Sequence, residues 1–194
     1  NGIEQQFKDI EAVRFDDKVE AQFGGHTYHL FYGHDSFGDA IANADSLGGY
    51  LLSINSEAEN AFVINLMQLA NAARVSIGAS DAETEGKWKW ADGSLVYFND
   101  WGRNQPDDWS LGEDFAQIET GRWLAGDDDV AGWNDVSGFG NIYVVEVGTP
   151  PTGNTISGSL GDDVLAAPVS GGAVEGLDGN DVVTGSEAYD VIYG

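Results

Sequence analysis

No cysteine occurs in the 194 residues. That excludes disulfides, a thiolate nucleophile and any cysteine-built zinc site. It leaves the compartment open, and it suits a chain that is exported before it folds. Positive charge is nearly as scarce: 8 Lys and Arg stand against 33 Asp and Glu, a formal net charge of -25. Such a chain repels phosphate backbones and anionic headgroups, so no nucleic-acid or membrane partner is expected. Nothing in it approaches the ~18 consecutive apolar residues of a membrane span. The chain opens on Asn1 instead of Met, without a charged stretch followed by an apolar one, and it reads as a piece of a longer soluble protein. Its length suits one main domain with a smaller annex. A chain this acidic repels itself unless a cation binds it, and hard divalent ions prefer carboxylate oxygens. Calcium is the expected cofactor.

Residues 1–22 alternate apolar and polar around Ile10, Val13 and Phe15, which predicts a short strand and no chemistry. From Phe23 the pattern tightens. "HTYHLFY" alternates like a strand, and Ser36 with Asp39 forms a capping box that opens a helix through about Leu47, stopped by Gly48 and Gly49. "YLLSI" reads as a buried strand. Ser56 with Glu59 makes a second capping box ahead of an amphipathic helix with Phe62, Val63, Leu66, Leu69 and Ala70 inward. After Arg74 come short apolar bursts, "VSIGAS", "KWKW", "SLVYF", "FAQI" and "IYVVEV", each a strand candidate. Two early helices and many short late strands predict an α+β domain. Between the strands runs an irregular acid-rich region, 100–135, where Trp101, Trp109, Trp123 and Trp133 argue for order. "TPPTG" at 149–153 reads as a linker.

Beyond it the chain is periodic. In a nine-residue frame Gly158, Gly176, Gly185 and Gly194 take the first position, Asp163, Asp181 and Asp190 the sixth, and Leu165, Val174, Val183 and Ile192 the eighth. Ala167 and Gly172 are the departures. The pattern matches the G-G-x-G-x-D-x-U-x signature of the calcium-binding β-roll: glycine for the tight turn, Asp for the ion, the apolar residue inward. The organisation is therefore 1–22, a short N-terminal segment; 23–149, the main domain; and 150–194, a linker and repeats.

The main domain resembles the C-type lectin-like domain. The resemblance rests on "GGYLLSINSEAENAFV" after the first helix, then "SIGAS", "GKWKWADGSLVYFNDW", "QPD", "GED" and "WND", in that order. It implies two helices, two small antiparallel sheets and a long calcium-binding loop region, with a C-terminal partial β-roll. The repeats resemble those of RTX proteins, exported by type I secretion, many of them adhesins. Together they imply a calcium-dependent lectin module of a secreted bacterial adhesin, working at the cell surface in cell adhesion. Its partners would be cell-surface glycans or exopolysaccharide, and neighbouring domains of a longer chain.

By the same resemblance Gln105, Asp107, Glu113, Asn134 and Asp135 hold the sugar-binding calcium, with Pro106 in a cis peptide bond. Asp81, Glu85, Asp108 and Asp114 match an auxiliary calcium site; Asp127, Asp128 and Asp129 match nothing and read as a solvated turn. Gln-Pro-Asp resembles the galactose-type order. Trp109 then either covers the apolar face of the sugar or pins the loop, and fucose stays open because only Ser110, Leu111 and Gly112 separate it from Glu113. Trp88, Trp90, Trp101 and Trp133 belong to the core. The family's four common cysteines are replaced by Ala44, Phe115, Gly138 and Val145, so calcium must do more of the ordering. The same fold also serves calcium-dependent ice or protein binding, and a plain spacer would not need five oxygen ligands. Catalysis is not expected: Glu113 and Asp114 are adjacent and point apart, His26 and His29 face opposite sides of one strand, His34 is alone, and no nucleophile-base pair accompanies them.

Overall fold

The computed structural model describes residues 12–14, 17–33, 36–109, 112–120, 131–149, 155–168, 172–188 and 190–193. Ile10, Phe15, His34, Trp123, the run at 127–129, Ser110, Leu111, Gly194 and 150–153 of the linker lie outside the described residues. The first nine strands are β1 (Val13–Arg14), β2 (Lys18–Phe23), β3 (His26–Tyr32), β4 (Tyr50–Leu51), β5 (Arg74–Ser80), β6 (Lys89–Trp90), β7 (Phe115–Glu119), β8 (Gly132–Val136) and β9 (Ile142–Val147). Two helices cross them, α1 (Phe37–Ser46) and α2 (Glu57–Ala70). The sheet runs β1-β2-β3-β9-β5-β7-β8, with β4 on β9 and β6 on β5. Two antiparallel ladders are expected from the sequence; in the structure they join through a single parallel pair, Ser76 with Tyr143.

Local chemistry explains the joints. The β2–β3 hairpin turns on Gly24 and Gly25, both at positive φ, the conformation a two-residue turn matched to strand twist requires. Ser36 caps α1 with a complete capping box: its side chain accepts from the Asp39 N–H, and Asp39 accepts from the Ser36 N–H. Gly49 has a second role beyond stopping α1. A Cβ there would lie 2.3 Å from the Glu146 carbonyl, so its absence lets the chain lie against β9.

Several expectations are corrected. Ser56 accepts from the Glu59 N–H, but the Glu59 carboxylate turns away from Ser56 and takes the Asn55 N–H at 2.9 Å and the Tyr28 hydroxyl at 2.8 Å. The second capping box is thus half a box, because a buried tertiary donor outcompetes the local one. On α2, Phe62, Val63, Leu66 and Ala70 are buried as expected, but Leu69 is 48% exposed and Met67 is fully buried in its place. Positions 59, 63, 67 and 70 lie in line at helical spacing, and 69 falls outside that stripe. "SLVYF" contributes only an isolated bridge, Leu95 to Lys89. "GWNDV", read as loop, is strand β8, and "YLLSI" is strand only at Tyr50–Leu51, although Leu52, Ser53 and Ile54 are buried.

The core is one large cluster centred on Leu30, Leu52, Phe62, Leu66, Ile77, Ile118 and Trp133, with a smaller one around Ala44, Leu51, Tyr143 and Val145. Two positions that resemble lost cysteines, Ala44 and Val145, are buried together in the smaller cluster. Phe115, a third, sits in a group of rings 5.2 Å from Phe37 and 6.3 Å from Phe139, the neighbour of Gly138. Ring pairs contribute about 0.5–1.5 kcal/mol each beyond their burial, so a few of them offset the roughly 2–4 kcal/mol of a disulfide.

The repeats fold as two small parallel sheets. β10 (Thr155–Ser157), β12 (Gly172–Glu175) and β14 (Asp190–Tyr193) form one, β11 (Val164–Ala166) and β13 (Val182–Thr184) the other. Partners such as Val164 and Val182 are 18 residues apart, two nine-residue frames. Of the inward positions Val174 is fully buried, Leu165 and Val183 are half-buried, and Ile192 is 48% exposed. Ile192 departs from the expectation because β14 is the edge strand of the described sheet.

One polar knot inside the main domain was not foreseen. Glu59 on α2 and Glu146 on β9 both accept from the Tyr28 hydroxyl, and Glu146 also pairs with His26. Burial, then the charge of Glu146, pushes the Glu59 carboxyl up to about 7. Because the folded pKa is raised, protonated Glu59 contributes stability that is fully present below the unfolded value of about 4.5 and is lost as pH rises through about 7. The melting temperature is therefore expected to fall between pH 5 and 8 in metal-free buffer, and to fall less in Glu59→Gln. Equal slopes for the two proteins by calorimetry rule this out.

Candidate functional site

Two segments far apart in sequence meet through Trp133. Its N–H donates to the Asp100 carbonyl, its carbonyl accepts from the Gly102 N–H, both at 2.8 Å, and its indole N–H donates to Asn60 at 2.9 Å. This fixes Trp101 beside β8. The chain then reverses: the Gln105 N–H donates to the Gly102 carbonyl, Asn104 has a positive φ, and the Gln105–Pro106 bond is cis, as the resemblance implies.

Beyond Pro106 the backbone is held by carboxylates. Asp135 is 1% exposed; its two oxygens accept the Asp107 N–H at 3.0 and 3.1 Å, and one also takes the Asp108 N–H at 2.7 Å. Asp108 accepts from Gly112 and Glu113, and Glu113 accepts from the Trp109 N–H at 3.1 Å. These bonds draw Asp107, Glu113 and Asp135 into one group whose carboxylate oxygens lie within 4.8 Å of one another. Asn134, half-buried, neighbours Asp135 on β8, opposite Gln117 of β7. Gln105 offers a further oxygen: its Oε1 is buried and has no hydrogen-bond partner.

The electrostatics follow from three acids with no base among them. Burial raises the Glu113 carboxyl above the usual range, and the charges of Asp135 and Asp107 add to it. A buried amide oxygen without a donor costs about 1–3 kcal/mol unless something accepts its lone pairs. Carboxylates crowded this way, an unpartnered amide oxygen and an adjacent Asn side chain form the donor set of a hard divalent cation. The residues present therefore fit calcium.

Asp81, Glu85, Asp108 and Asp114 make a second, looser gathering. Asp81 ends the run of β5, is buried, accepts the Gly86 N–H at 2.9 Å and leaves its Oδ1 unpartnered. Its N–H donates to the Asp114 carbonyl. Burial raises the Asp81 carboxyl, with Asp114 adding; burial also raises Glu85, with Asp81, Asp108 and Asp114 adding. Among the described residues, however, the tight grouping of three acids includes none of these four.

Trp109 is 74% exposed. That removes its reading as a residue packed to pin the loop, and leaves a flat apolar surface beside Glu113. Trp88, Trp90 and Trp133 are buried and Trp101 is half-buried, as the sequence implies.

In the repeats the predicted aspartates act as backbone acceptors. Asp163 takes the Ser159 N–H at 2.6 Å, Asp181 the Asp163 N–H at 3.0 Å, and Asp190 the Gly172 N–H at 3.2 Å and the Ser186 N–H at 2.5 Å. A Cβ on Gly176 would lie 2.3 Å from an Asp181 oxygen, so a side chain there would displace that carboxylate. Among the described residues these three carboxylates are not drawn into a tight acidic group. The histidines stay apart: His26 faces Glu146, and His29 faces Lys18 and Glu20. Sequence reasoning missed the buried role of Glu59 and Glu146, whose only signal is a charged residue on an otherwise apolar face of α2 and of β9.

Comparison with known proteins agrees with the fold. The model of the Lectin C-type domain matches residues 34–135. An Alpha-N-acetylgalactosamine-specific lectin of Patiria pectinifera is 30% identical over 122 residues, covering 59% of the chain and 69% of that lectin. Type-2 ice-structuring protein of Hemitripterus americanus is 41% identical over 69 residues, 36% of the chain and 40% of that protein. Halomucin of Haloquadratum walsbyi is 31% identical over 190 residues, covering 87% of the chain but only 2% of Halomucin. Among solved structures, the mouse scavenger receptor C-type lectin carbohydrate-recognition domain superposes with a TM-score of 0.55 at 29% identity, over 68% of the chain and 97% of that domain.

The keystone role of Asp135 is measurable without any ligand. Asp135→Ala strands the Asp107 and Asp108 N–H groups, and is expected to cost about 1–3 kcal/mol in urea denaturation in EDTA. Asp107→Ala, an exposed side chain, is expected to leave that stability within about 0.5 kcal/mol of the wild type.

Proposed function

Because the chain belongs to the C-type lectin domain family, we propose that it is a calcium-dependent glycan-binding module, not an enzyme. Gln105, Asp107, Glu113, Asn134 and Asp135 would hold the ion. The observation that carries the reading is the group of Asp107, Glu113 and Asp135 within 4.8 Å of one another beside the unpartnered Gln105 oxygen. When bound, calcium would supply open coordination positions for sugar hydroxyls. The chain's own side chains set which hydroxyls fit. Ionised Asp107 and Glu113 only accept hydrogen bonds, whereas Gln105 and Asn134 also donate, so the order of amide and acid selects a hydroxyl geometry.

The order Gln105-Pro106-Asp107 favours a galactose-type sugar, and the exposed Trp109 ring suits its apolar face. Covering ~50 Å² of ring at ~25 cal/mol/Å² contributes roughly 1 kcal/mol, enough to bias selection among sugars without fixing it, so fucose stays within reach. A single shallow site of this kind binds at about millimolar strength, near -4 kcal/mol. Useful adhesion then comes from many copies at high effective concentration. That fits a module carried on a longer secreted or cell-surface adhesin, with cell-surface glycans or exopolysaccharide as partners.

Asp81, Glu85, Asp108 and Asp114 would form an auxiliary calcium site. The two-frame spacing of the parallel strands and the glycines, Gly158 and Gly176, that lie against Asp163 and Asp181 support a calcium β-roll in the repeats. Modules of this kind in extracellular settings bind calcium at roughly 10⁻⁴ to 10⁻³ M. Such repeats stay loose inside a cell and order after type I export. A second reading, ice binding at the same calcium-dependent face, is favoured by the ice-structuring relative.

A glycan array probed in millimolar calcium and again in EDTA, beside an ice-recrystallisation assay, separates the two. Retention of galactose- or fucose-ended glycans is expected in calcium only, and is expected to vanish in Asp107→Ala and Asn134→Ala while both keep their fold by circular dichroism. Binding that survives EDTA, or recrystallisation inhibition without any sugar retention, overturns the glycan reading. Calcium at about 100 times its dissociation constant should also stabilise the chain by about 2.7 kcal/mol, read as a rise in melting temperature that EDTA abolishes.

A further inference from the structure

The segment 81–88 has two working faces. One belongs to the acids: the Thr84 N–H donates to the Asp81 carbonyl, the Gly86 N–H to its carboxylate, and Glu85 lies in the field of Asp81, Asp108 and Asp114. The other is covered by the repeats. Lys87 pairs with Glu175 of β12, both side chains only a quarter exposed or less, and its ammonium lies 5.4 Å from the centre of the Tyr193 ring on β14. The Tyr193 hydroxyl reaches the Trp88 backbone.

The second position of the nine-residue frame, glycine in the signature, is Ser159, Pro168, Leu177 and Ser186 in this chain, and among the described residues Leu177 is the one of these with a positive φ. Its φ is +68, a region a branched, bulky residue rarely adopts and that glycine occupies freely. Leu177 nevertheless keeps its side chain there, lining with Leu160 and Tyr193 one wall of a cleft of about 550 Å³ whose other wall is Thr84 and Lys87. A non-glycine residue at such a φ is strained, and Leu177 is 42% exposed. It sits where the repeats meet the main domain.

From this junction, contacts continue inward. Trp88 is buried with its ring 4.8 Å from Trp101, and Trp101 bridges to Trp133, the residue next to Asn134 and Asp135. We propose that the repeats are an internal partner of the acidic site: β12 and β14 dock on 84–88 and position Asp81 and Glu85 for the cation, with Leu177 and Lys87 as the positioning residues. The proposal rests on the calcium reading above for its effect on affinity. The docking itself does not depend on that reading.

The test uses the full chain in five forms: wild type, Leu177→Gly, Lys87→Met, Glu85→Gln as the reference for the calcium event, and Val182→Ser, an exposed residue of β13 outside the cleft, as control. Two quantities are read: amide hydrogen exchange across 84–88 in EDTA, and calcium titration calorimetry, in which Glu85→Gln identifies the event to follow. Leu177→Gly relieves the strained φ, so a purely local role predicts an unchanged or higher melting temperature and nothing more. The docking role predicts faster exchange at 84–88 and about fivefold weaker calcium binding in that event, the low end of typical coupling between sites. Lys87→Met is expected to act in the same direction and Val182→Ser in neither readout. Unchanged exchange at 84–88 in both positioning variants overturns the docking; faster exchange with an unchanged calcium midpoint overturns the coupling. If the wild type shows no calcium event that Glu85→Gln removes, the auxiliary-site reading fails, and exchange alone decides the docking.

Discussion

Acids of one sign, drawn from segments 28 residues apart, do not converge by themselves, and Trp133 is what brings them together. Its main chain ties Asp100 and Gly102 to β8, and its indole N–H is anchored on Asn60 of α2. Burying an indole of about 200 Å² at ~25 cal/mol/Å² is worth about 5 kcal/mol. Against this, two unit charges at 4.8 Å repel by about 3 kcal/mol at an effective dielectric near 20. One such pair is outweighed by the ring; three are not. The arrangement is thus held from beneath by an apolar anchor and left electrostatically incomplete on its outer face, which is the condition a bound divalent ion removes.

The absence of cysteine is answered by packing of the same kind. Ala44 and Val145 are buried in one cluster, and Phe115 meets Phe37 and Phe139 beside Gly138. Apolar side chains hold as long as water is excluded from them, whereas a covalent staple holds in the unfolded chain as well. A protein built this way keeps no covalent cross-link once its core opens. The loop of the acidic site has no staple of its own, so its order rests on carboxylate-to-backbone bonds and on Trp133.

Much of this was legible beforehand, for identifiable reasons. Asp107, Glu113 and Asp135, which motif order singled out together with Gln105 and Asn134, come together in the structure, and motif order survives a change of surroundings. Helix α1 was found because Ser36 and Asp39 cap it locally. What failed depended on partners distant in sequence. Glu59 was read as a capping residue, but Tyr28, 31 residues away, claims its carboxylate. Leu69 and Met67 both fit an amphipathic face, and only the tilt of α2 on the sheet decides between them. "GWNDV" fell within the stretch read as irregular and acid-rich; it is strand, because β7 pairs its backbone while the side chains of β8 alternate. Ile192 kept the periodic position and lost the burial, since periodicity fixes direction and only a covering strand supplies the contact.

A common device links the two acidic systems in the chain. In the loop, Asp135 and Asp108 each accept two backbone N–H groups; in the repeats, Asp190 accepts two and Asp163 and Asp181 at least one. A carboxylate has about four lone-pair directions. Those bonds satisfy the backbone of turns that would otherwise leave N–H groups unpaired, and they hold the acid in place with the remaining directions free. Each of these acids thus stabilises backbone locally even as it repels its neighbours in a chain of net charge -25. On the proposed reading, an ion would meet oxygens already held by the backbone, so little side-chain entropy would be lost on binding, and relief of the mutual repulsion would favour uptake.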